Sequence, residues 1–263
     1  IRGLSQRISQ QIKTTHIHHL KHSSEAATLV FAHPASGLCF PYFAMQKHIN
    51  DINFYGVSND RFGDRGNPYL SLEDMAASYA SDVNSIVKSG PIILGGFCTG
   101  GAVAYEMAQR LKAIGRDVRG LILIDAYKLD RGWTQTERQT ALTNLLRNLN
   151  VDSKSVLAQR IGFEIEQNTN LVASYQPKVN LTPTLIISAE TASANEFSGD
   201  LRRMSLELNG WRGLIPDDMV TTSTIDAAHK EMMSHDHHVQ RISAAVLNFV
   251  RATKSEPNHV RDH

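Results

Sequence analysis

The stretch Pro91-Ile-Ile-Leu-Gly-Gly-Phe-Cys-Thr-Gly100 decides the fold. Its apolar start predicts a buried strand, and the apolar spacing of residues 102–111 predicts a helix just after the glycines. Between them, residues 96–100 match the G-x-S-x-G pattern of a nucleophile elbow, with Cys98 in the serine position. Glycines must flank so tight a turn, which holds its central side chain at a helix N-terminus. The stretch therefore predicts a catalyst whose nucleophile is Cys98.

The segments on either side of the elbow predict an α/β-hydrolase fold, with a mostly parallel central sheet and helices on both faces. Apolar runs predict further strands at 27–32, 52–56, 118–125, 182–188 and 219–225. Helical spacing predicts helices at 72–87 and 236–251. Residues 130–178 contain no strong strand and predict two or three helices, at 136–149, 155–167 and 168–175. We expect this insertion to form a lid over the carboxyl ends of the strands.

Length and composition set the class of protein. The 263 residues suit one large domain at 25–252, with a polar linker at 1–24 and a polar tail at 253–263. A formal net charge of +1 gives no reason to expect nucleic acid or an anionic membrane as a partner. No apolar run approaches the roughly 20 residues that span a bilayer. Because two cysteines provide no disulfide framework, a reducing, cytoplasmic setting is expected.

The N-terminal segment contains four histidines, His16, His18, His19 and His22. They suggest either a metal-binding tract or a solvated linker. No second cluster with metal-ligand spacing accompanies them, so we favour the linker and expect no metal. The start at Ile1 indicates a segment excised from a longer polypeptide.

The base of a hydrolase triad follows the nucleophile and the acid along the chain. His229 fits because it lies between the last predicted strand and the last predicted helix. Weaker candidates are His48, His235, His237 and His238. The acid is open from the residues alone, because three carboxylates follow predicted strands: Asp125, Glu190 and Asp226.

Three segments together resemble the thioesterase domains that end nonribosomal peptide synthetases. They are His33-Pro-Ala-Ser-Gly37, Gly96-Phe-Cys-Thr-Gly-Gly101 and Gly120-Leu-Ile-Leu-Ile-Asp-Ala-Tyr127. The resemblance covers roughly residues 25–250 and implies Asp125 as the acid, since the family places its acid after the strand that follows the elbow. Glu190 is the fallback, because stand-alone editing thioesterases carry the acid at that point.

An oxyanion hole is expected beside the elbow. One donor is the backbone N–H of Thr99, at the start of the helix. By family resemblance the other is the N–H of Ala35, since Pro34 has no N–H to donate. His33 is expected either to line the pocket or to be a hydrogen-bonded turn residue. The chain departs from the family in having cysteine in the elbow, and Ala227-Ala228 where Gly-Asp often precedes the histidine.

The cysteine bears on the reaction. The resemblance implies a peptidyl thioester substrate, carried on the phosphopantetheine arm of an upstream peptidyl carrier domain, with no cofactor bound by this domain. Attack by Cys98 on a thioester is nearly isoenergetic, so the enzyme intermediate keeps its acyl-transfer potential. Cysteine-type members of the family, such as those of sulfazecin-type synthetases, are associated with four-membered β-lactam and β-lactone rings. The resemblance therefore implies release by cyclisation.

Other functions remain open. The same residues suit hydrolytic or macrocyclising release, or a stand-alone cysteine hydrolase of the dienelactone-hydrolase type. Cys39 is expected to be a packed hydrophobe, and Tyr42 and Phe43 to pack in the core or line an acyl tunnel. Five basic lid residues are expected to be mostly solvated, with one or two meeting a substrate anion or a carrier domain: Arg131, Arg138, Arg147, Lys154 and Arg160.

Overall fold

The computed structural model describes residues 16–23, 27–128, 131–190 and 207–255. Seven strands in this part of the chain form one sheet. They are β1 (Ile17–Lys21), β2 (Thr28–Ala32), β3 (Asn53–Val57), β4 (Ile92–Phe97), β5 (Val118–Ile124), β6 (Thr184–Ala189) and β7 (Val220–Ile225). Their order is β1-β3-β2-β4-β5-β6-β7, and every pairing is parallel except that of β1 with β3.

Helices cover both faces of the sheet. The five α-helices of the described residues are α1 (Leu72–Ile86), α2 (Thr99–Ala113), α3 (Gln135–Leu149), α4 (Val156–Ser174) and α5 (Asp236–Ser255). The core on one face includes Tyr79 of α1 and Met107 of α2, and the core on the other includes Val246 of α5. Strands β2 and β4 are buried along their whole length, as expected for central parallel strands. The predicted α/β-hydrolase fold is confirmed.

The helical insertion lies between β5 and β6, where it was predicted. It holds two helices, α3 and α4, rather than three. The third predicted helix, at 168–175, is the continuation of α4, because neither glycine nor proline interrupts residues 163–174 and the apolar face continues through Leu171 and Val172. The two helices have their own small core, which includes Leu146 and Ile161.

The prediction of a linker at 1–24 is wrong for its last part. Strand β1 pairs antiparallel with β3, and Ile17 and Leu20 are buried in it. The histidines concealed this strand, since His18 occupies a buried position that usually holds an apolar residue. Residues 1–15 lie outside the described part of the chain.

The other end of the chain also differs slightly from expectation. Helix α5 continues to Ser255, past the predicted end at residue 251 and into the predicted tail. Residues 256–263 lie outside the described part. None of the helices in the described residues is long and apolar enough to cross a membrane.

Candidate active site

Cys98 stands in the turn between β4 and α2, where the motif predicted it. Its backbone has φ 58° and ψ −128°, a conformation that non-glycine residues rarely adopt. A Cβ on Gly96 would lie 2.2 Å from the backbone carbon of Gly100, and a Cβ on Gly100 would lie 2.3 Å from the carbonyl oxygen of Ala32. Both glycines are therefore required by close backbone approach.

His229 and Asp125 lie together beside this turn. The Nδ1 atom of His229 is 2.5 Å from Oδ2 of Asp125, and the second carboxylate oxygen accepts the Ala189 N–H at 2.9 Å. The ring of His229 also stacks on Phe97, with 4.6 Å between centroids. Because Asp125 occupies Nδ1, the other ring nitrogen is left for the Cys98 thiol, to which His229 is hydrogen-bonded.

The charges in this group support one another. Burial alone lowers the pKa of His229, but the negative charge of Cys98 and the Asp125 carboxylate outweigh burial and raise the pKa to about 10. Burial likewise raises the pKa of Asp125, but the His229 imidazole, the Ala189 N–H and the Tyr127 hydroxyl hold the pKa below its usual value. The surroundings of His229 thus favour its protonated form.

The other candidate acids and bases lie elsewhere. Glu190 follows β6 with an exposed side chain, and Asp226 is also exposed. His48 pairs with Asp236 at 2.9 Å. The rings of His235, His237 and His238 lie near one another at the start of α5, in tilted or edge-on contacts with centroids 3.7–6.0 Å apart. Of the three carboxylates left open by the sequence, the structure brings Asp125 to His229.

The two proposed oxyanion donors lie at neighbouring backbone segments. Thr99 is the first residue of α2, and Ala35 lies in a turn just after β2. The closeness of Gly100 to the Ala32 carbonyl brings these segments together. Within the described residues, neither the Thr99 N–H nor the Ala35 N–H has a hydrogen-bond acceptor. Both amides are thus available to a ligand oxygen.

A cavity opens in front of Cys98 and runs under the lid. Its lining comes from the elbow, the β5–α3 connection, helix α4 and the histidine loop, and comprises Cys98, Thr99, Asp125, Tyr127, Arg131, Trp133, Thr169, Val172, Ala173 and His229. Sequence reasoning missed Trp133 and the three α4 residues as cavity residues. No motif marks them, and only the position of the lid helix brings them to the site.

The lid cations differ in their surroundings. Arg131 lines the cavity, and its guanidinium contacts both oxygens of Glu137, at 3.0 and 2.9 Å. Arg138 pairs with Glu166 at 3.5 Å, and Arg147 contacts Asn144 at 3.2 Å. Arg131 is therefore the lid cation of this set that faces the cavity. Lys154 is exposed, and Arg160 packs over Gly63 on the outer side.

Helix α4 is tied to the loops beneath it. The buried Glu164 carboxylate accepts hydrogen bonds from the Asn59 side chain and the Gly63 N–H, both at 2.7 Å. One turn later, the Asn168 amide donates to the Ala35 carbonyl at 3.0 Å. The lid helix is thus bound to the turn that carries the Ala35 N–H.

Several residues of uncertain role prove to be structural. Cys39 packs in the core, and burial raises the pKa of its thiol to about 12. Tyr42 donates its hydroxyl to the Ala32 carbonyl at 2.6 Å and accepts the Phe97 N–H at 2.9 Å, which joins β2 to β4. Phe43 is partly buried against the same core. Of the N-terminal histidines, His19 stacks on Tyr55 at 4.3 Å.

Comparison with known proteins extends these observations. The family model described as thioesterase domain matches residues 27–250. Thioesterase frbE of Dothideomycetidae sp. (strain 11243) is 29% identical over 163 residues, which are 59% of this chain and 59% of that protein. A dimodular nonribosomal peptide synthase of Bacillus subtilis (strain 168) is 32% identical over 131 residues, 48% of this chain and 6% of the synthase. The chain thus spans less than two thirds of either relative.

Solved structures agree in fold over nearly the whole chain. The NocB thioesterase domain from the nocardicin cluster superposes with a TM-score of 0.74 at 27% identity, covering 90% of this chain and 99% of that one. The four-domain nonribosomal peptide synthetase AB3403 gives a TM-score of 0.72 at 17% identity over 96% of this chain and 21% of the synthetase. With the family model matching most of its length, the chain belongs to the thioesterase domain family.

Proposed function

We propose that this thioesterase domain accepts a peptidyl group from the phosphopantetheine arm of an upstream peptidyl carrier domain onto Cys98. It then releases the peptide by intramolecular cyclisation, with a four-membered β-lactam as the favoured product and a β-lactone as the second choice. One observation carries the proposal: Cys98 stands in the elbow and shares its cavity with His229, whose Nδ1 is 2.5 Å from the Asp125 carboxylate. This is the arrangement of a nucleophile, a base and an orienting acid.

Loading begins from the thiolate and the imidazolium. The Cys98 sulfur attacks the carbonyl carbon of the carrier thioester, and the carbonyl oxygen gains the negative charge. The N–H groups of Ala35 and Thr99 are placed to stabilise that oxygen. When the intermediate collapses, the bond to the phosphopantetheine sulfur breaks, and His229 gives its proton to the departing thiolate. The products are the acyl-Cys98 thioester, the free carrier thiol and neutral His229.

In the release step His229 acts as a base, whereas in loading it acts as an acid. Acylation removes the Cys98 charge that helps to raise the pKa of His229, so the neutral imidazole is now suited to act as a base. It takes a proton from the substrate's own β-amine or β-hydroxyl, which attacks the acyl carbonyl. The carbon–sulfur bond then breaks, Cys98 departs as the thiolate, and the imidazolium–thiolate pair is restored. Asp125 holds the ring throughout.

Thioester chemistry supports cyclisation over hydrolysis. Transfer from one thioester to another retains the acyl-transfer potential, which closing a strained ring requires. Thioesters also favour an amine over water as the attacking nucleophile. The cavity wall on α4 adds Val172 and Ala173, apolar side chains that exclude water from the acyl group. The NocB domain, whose structure was also solved as a covalent complex with a fluorophosphonate nocardicin G analog, is a relative at 26–27% identity.

The test uses three acyl thioesters that differ at one atom. Each is an N-acetylated dipeptidyl pantetheine thioester ending in 2,3-diaminopropionyl, seryl or alanyl, so that the only internal nucleophile is a β-amine, a β-hydroxyl or none. Intact-mass spectrometry should show an acyl adduct on the parent and none on Cys98→Ala. The diaminopropionyl substrate should then give a product lighter than its acid by one water, with NMR showing a four-membered ring.

Any other outcome of this experiment would change the proposed reaction or the proposed nucleophile. Free acid from all three substrates would make the domain a hydrolytic thioesterase, and a larger ring would make it a macrocyclase. Adduct formation on Cys98→Ala would remove Cys98 as the nucleophile. The alanyl substrate is the matched control, because it can load but has no internal nucleophile.

The Cys98→Ser variant tests the thioester argument itself. Its acyl intermediate is an oxygen ester, which is less reactive toward an amine, so we expect the ratio of cyclised product to free acid to fall at least tenfold. Product ratios from the diaminopropionyl substrate measure this directly. A serine variant that cyclises as well as the parent would show that the sulfur is not needed.

A further inference from the structure

We propose that His33 is a positioning residue for the oxyanion hole: its ring fixes the Pro34 carbonyl and thereby sets the direction of the Ala35 N–H. This inference rests on the proposed function, in which the Ala35 N–H stabilises the oxyanion. It assigns His33 a role that the cavity does not reveal, because His33 is buried to 1% exposure and is not among the residues that line the cavity.

Two hydrogen bonds define the state of the His33 ring. Nδ1 lies 2.9 Å from the Pro34 carbonyl oxygen, and Nε2 lies 2.9 Å from the Tyr79 hydroxyl. A carbonyl oxygen can only accept, so Nδ1 must carry the proton. In the neutral ring Nε2 is then an acceptor, and Tyr79 must donate to it. Burial supports the neutral form, since it lowers the pKa of His33 to about 4.

The Pro34 carbonyl in turn sets the neighbouring amide. It accepts a second hydrogen bond, from the Gly37 N–H at 3.0 Å, which closes a four-residue turn. The described residues contain no cis peptide bond, so the Ala35 N–H points opposite to the Pro34 C=O in the same planar peptide. Holding the carbonyl toward His33 and Gly37 therefore directs the Ala35 N–H out of the turn.

The same contacts strengthen the donor. A carbonyl that accepts two hydrogen bonds polarises its peptide unit, which makes the attached N–H a better donor. Tyr79 matters because its hydroxyl holds the Nε2 side of the ring and so keeps Nδ1 aligned with the Pro34 carbonyl. Without this hydroxyl the buried Nε2 loses its partner, the ring is free to rotate about its side-chain bonds, and its Nδ1–H holds the Pro34 oxygen less firmly. Helix α1 thus acts on the oxyanion hole through Tyr79, His33 and Pro34 in sequence.

The experiment separates oxyanion stabilisation from other effects by using two reactions of the same thiol. Attack on a thioester creates an oxyanion, whereas alkylation by iodoacetamide at a saturated carbon creates none. We expect His33→Leu to slow acylation by the alanyl pantetheine thioester about ten- to a hundredfold, somewhat less than loss of a whole donor, with alkylation close to the parent rate. His33→Asn places an amide N–H near the Nδ1 position and should recover much of the lost acylation rate.

Two further variants keep the proposal testable if His33→Leu folds poorly. Tyr79→Phe keeps the ring and removes only the hydroxyl, so it should slow acylation in the same selective way. His18→Asn is the matched control for loss of a buried histidine, since β1 is separated from β4 by β3 and β2. It should leave both reactions unchanged. Equal slowing of acylation and alkylation in the His33 and Tyr79 variants would show a general structural role and overturn the proposal.

A spectroscopic measurement tests the tautomer of His33 independently of enzyme activity. Two-bond ¹H–¹⁵N spectra of the histidine rings should show His33 as the Nδ1–H tautomer in the parent, because its Nδ1 faces the Pro34 carbonyl. An Nε2–H tautomer in the parent would overturn the inference whatever the activity. A parent that shows the expected tautomer but is never acylated would instead contradict the proposed function.

Discussion

At Cys98, backbone and side chain have separate tasks. The strained φ of the elbow and the close approach of Gly96 to Gly100 belong to the backbone, and neither depends on which atom ends the side chain. Cysteine in place of serine therefore leaves the geometry of the turn intact and changes only the chemistry of the acyl intermediate. The effect of that change appears at His229, whose pKa depends on the charge of Cys98.

His229 should titrate well above an ordinary histidine, because its pKa is raised to about 10. In the free protein the imidazolium should persist until the pH rises through about 10, because the anionic Cys98 and Asp125 favour the charged ring. Alkylating Cys98 with iodoacetamide removes one of these negative charges, so the pKa of His229 should fall by about one unit or more. NMR titration of the His229 ring, with and without alkylation, measures the change.

Asp125→Asn provides the companion measurement. It removes the other negative charge and should also lower the pKa of His229 in the unalkylated protein. An imidazole that titrates at the same pH before and after alkylation would show that Cys98 is not charged beside it. The loading step would then have to begin from the thiol rather than the thiolate.

At the scale of elements, the elbow works because α2 packs directly against the end of β2. A matched pair of glycine substitutions tests this contact. At Gly100 a methyl group would meet the Ala32 carbonyl oxygen at 2.3 Å, whereas at Gly115 it would meet nothing within 4 Å. Gly115 instead has φ +80°, which strains any other residue without a clash.

Gly100→Ala should therefore destabilise the domain by about 3 kcal/mol or more and abolish acylation, since either β2 or α2 must move. Gly115→Ala should cost about 1 kcal/mol and leave acylation at the parent rate. Urea unfolding and intact-mass acylation assays measure the two effects. A Gly100→Ala protein with normal acylation would show that the packing of α2 on β2 does not position the elbow.

Some strands and turns could be predicted from the sequence, whereas the residues that line the cavity could not. Strands β4 and β5 and the elbow were predictable because buried parallel strands are almost wholly apolar and the turn has a strict glycine pattern. From the residues alone, the acid that pairs with His229 was one of three choices, because three carboxylates follow strands, and the family resemblance selected Asp125 among them. Cavity residues such as Trp133 and Val172 carry no local signal, since their role depends on where the lid lies.

At the scale of the whole molecule, the lid is joined to the catalytic framework. Glu164 binds the loop that follows β3, and Asn168 binds the turn that follows β2. Arg131 is held by Glu137 at the cavity. The buried Glu164 accepts its hydrogen bonds in a dry environment, where they are strong and expensive to break. Substrate seated against α4 therefore contacts a helix that also touches the Ala35 turn.

The sheet begins earlier in the chain than the sequence suggests, because β1 lies within the predicted linker. Strand β1 contributes Ile17 and Leu20 to the two cores, although the histidines around them predict a linker. Without β1, the edge of β3 would present unpaired N–H and C=O groups to solvent, which promotes self-association. A boundary at residue 25, as the sequence suggests, would therefore cut into the folded domain.

Removing residues 1–24 should be far more damaging than removing residues 1–15. The two shortened proteins differ chiefly by β1, and burial of its two aliphatic side chains is worth about 1.5–3 kcal/mol each. We expect the protein that lacks residues 1–24 to unfold at lower urea concentration and to self-associate in size-exclusion chromatography. Leu20→Ala in the full chain should reproduce part of the stability loss without the self-association. If both shortened proteins matched in stability and remained monomeric, β1 would be a dispensable edge and the linker interpretation would stand. The distinction also bears on the proposed upstream carrier domain, because β1 is the far edge of the sheet, three strands from β4, the strand that leads to Cys98.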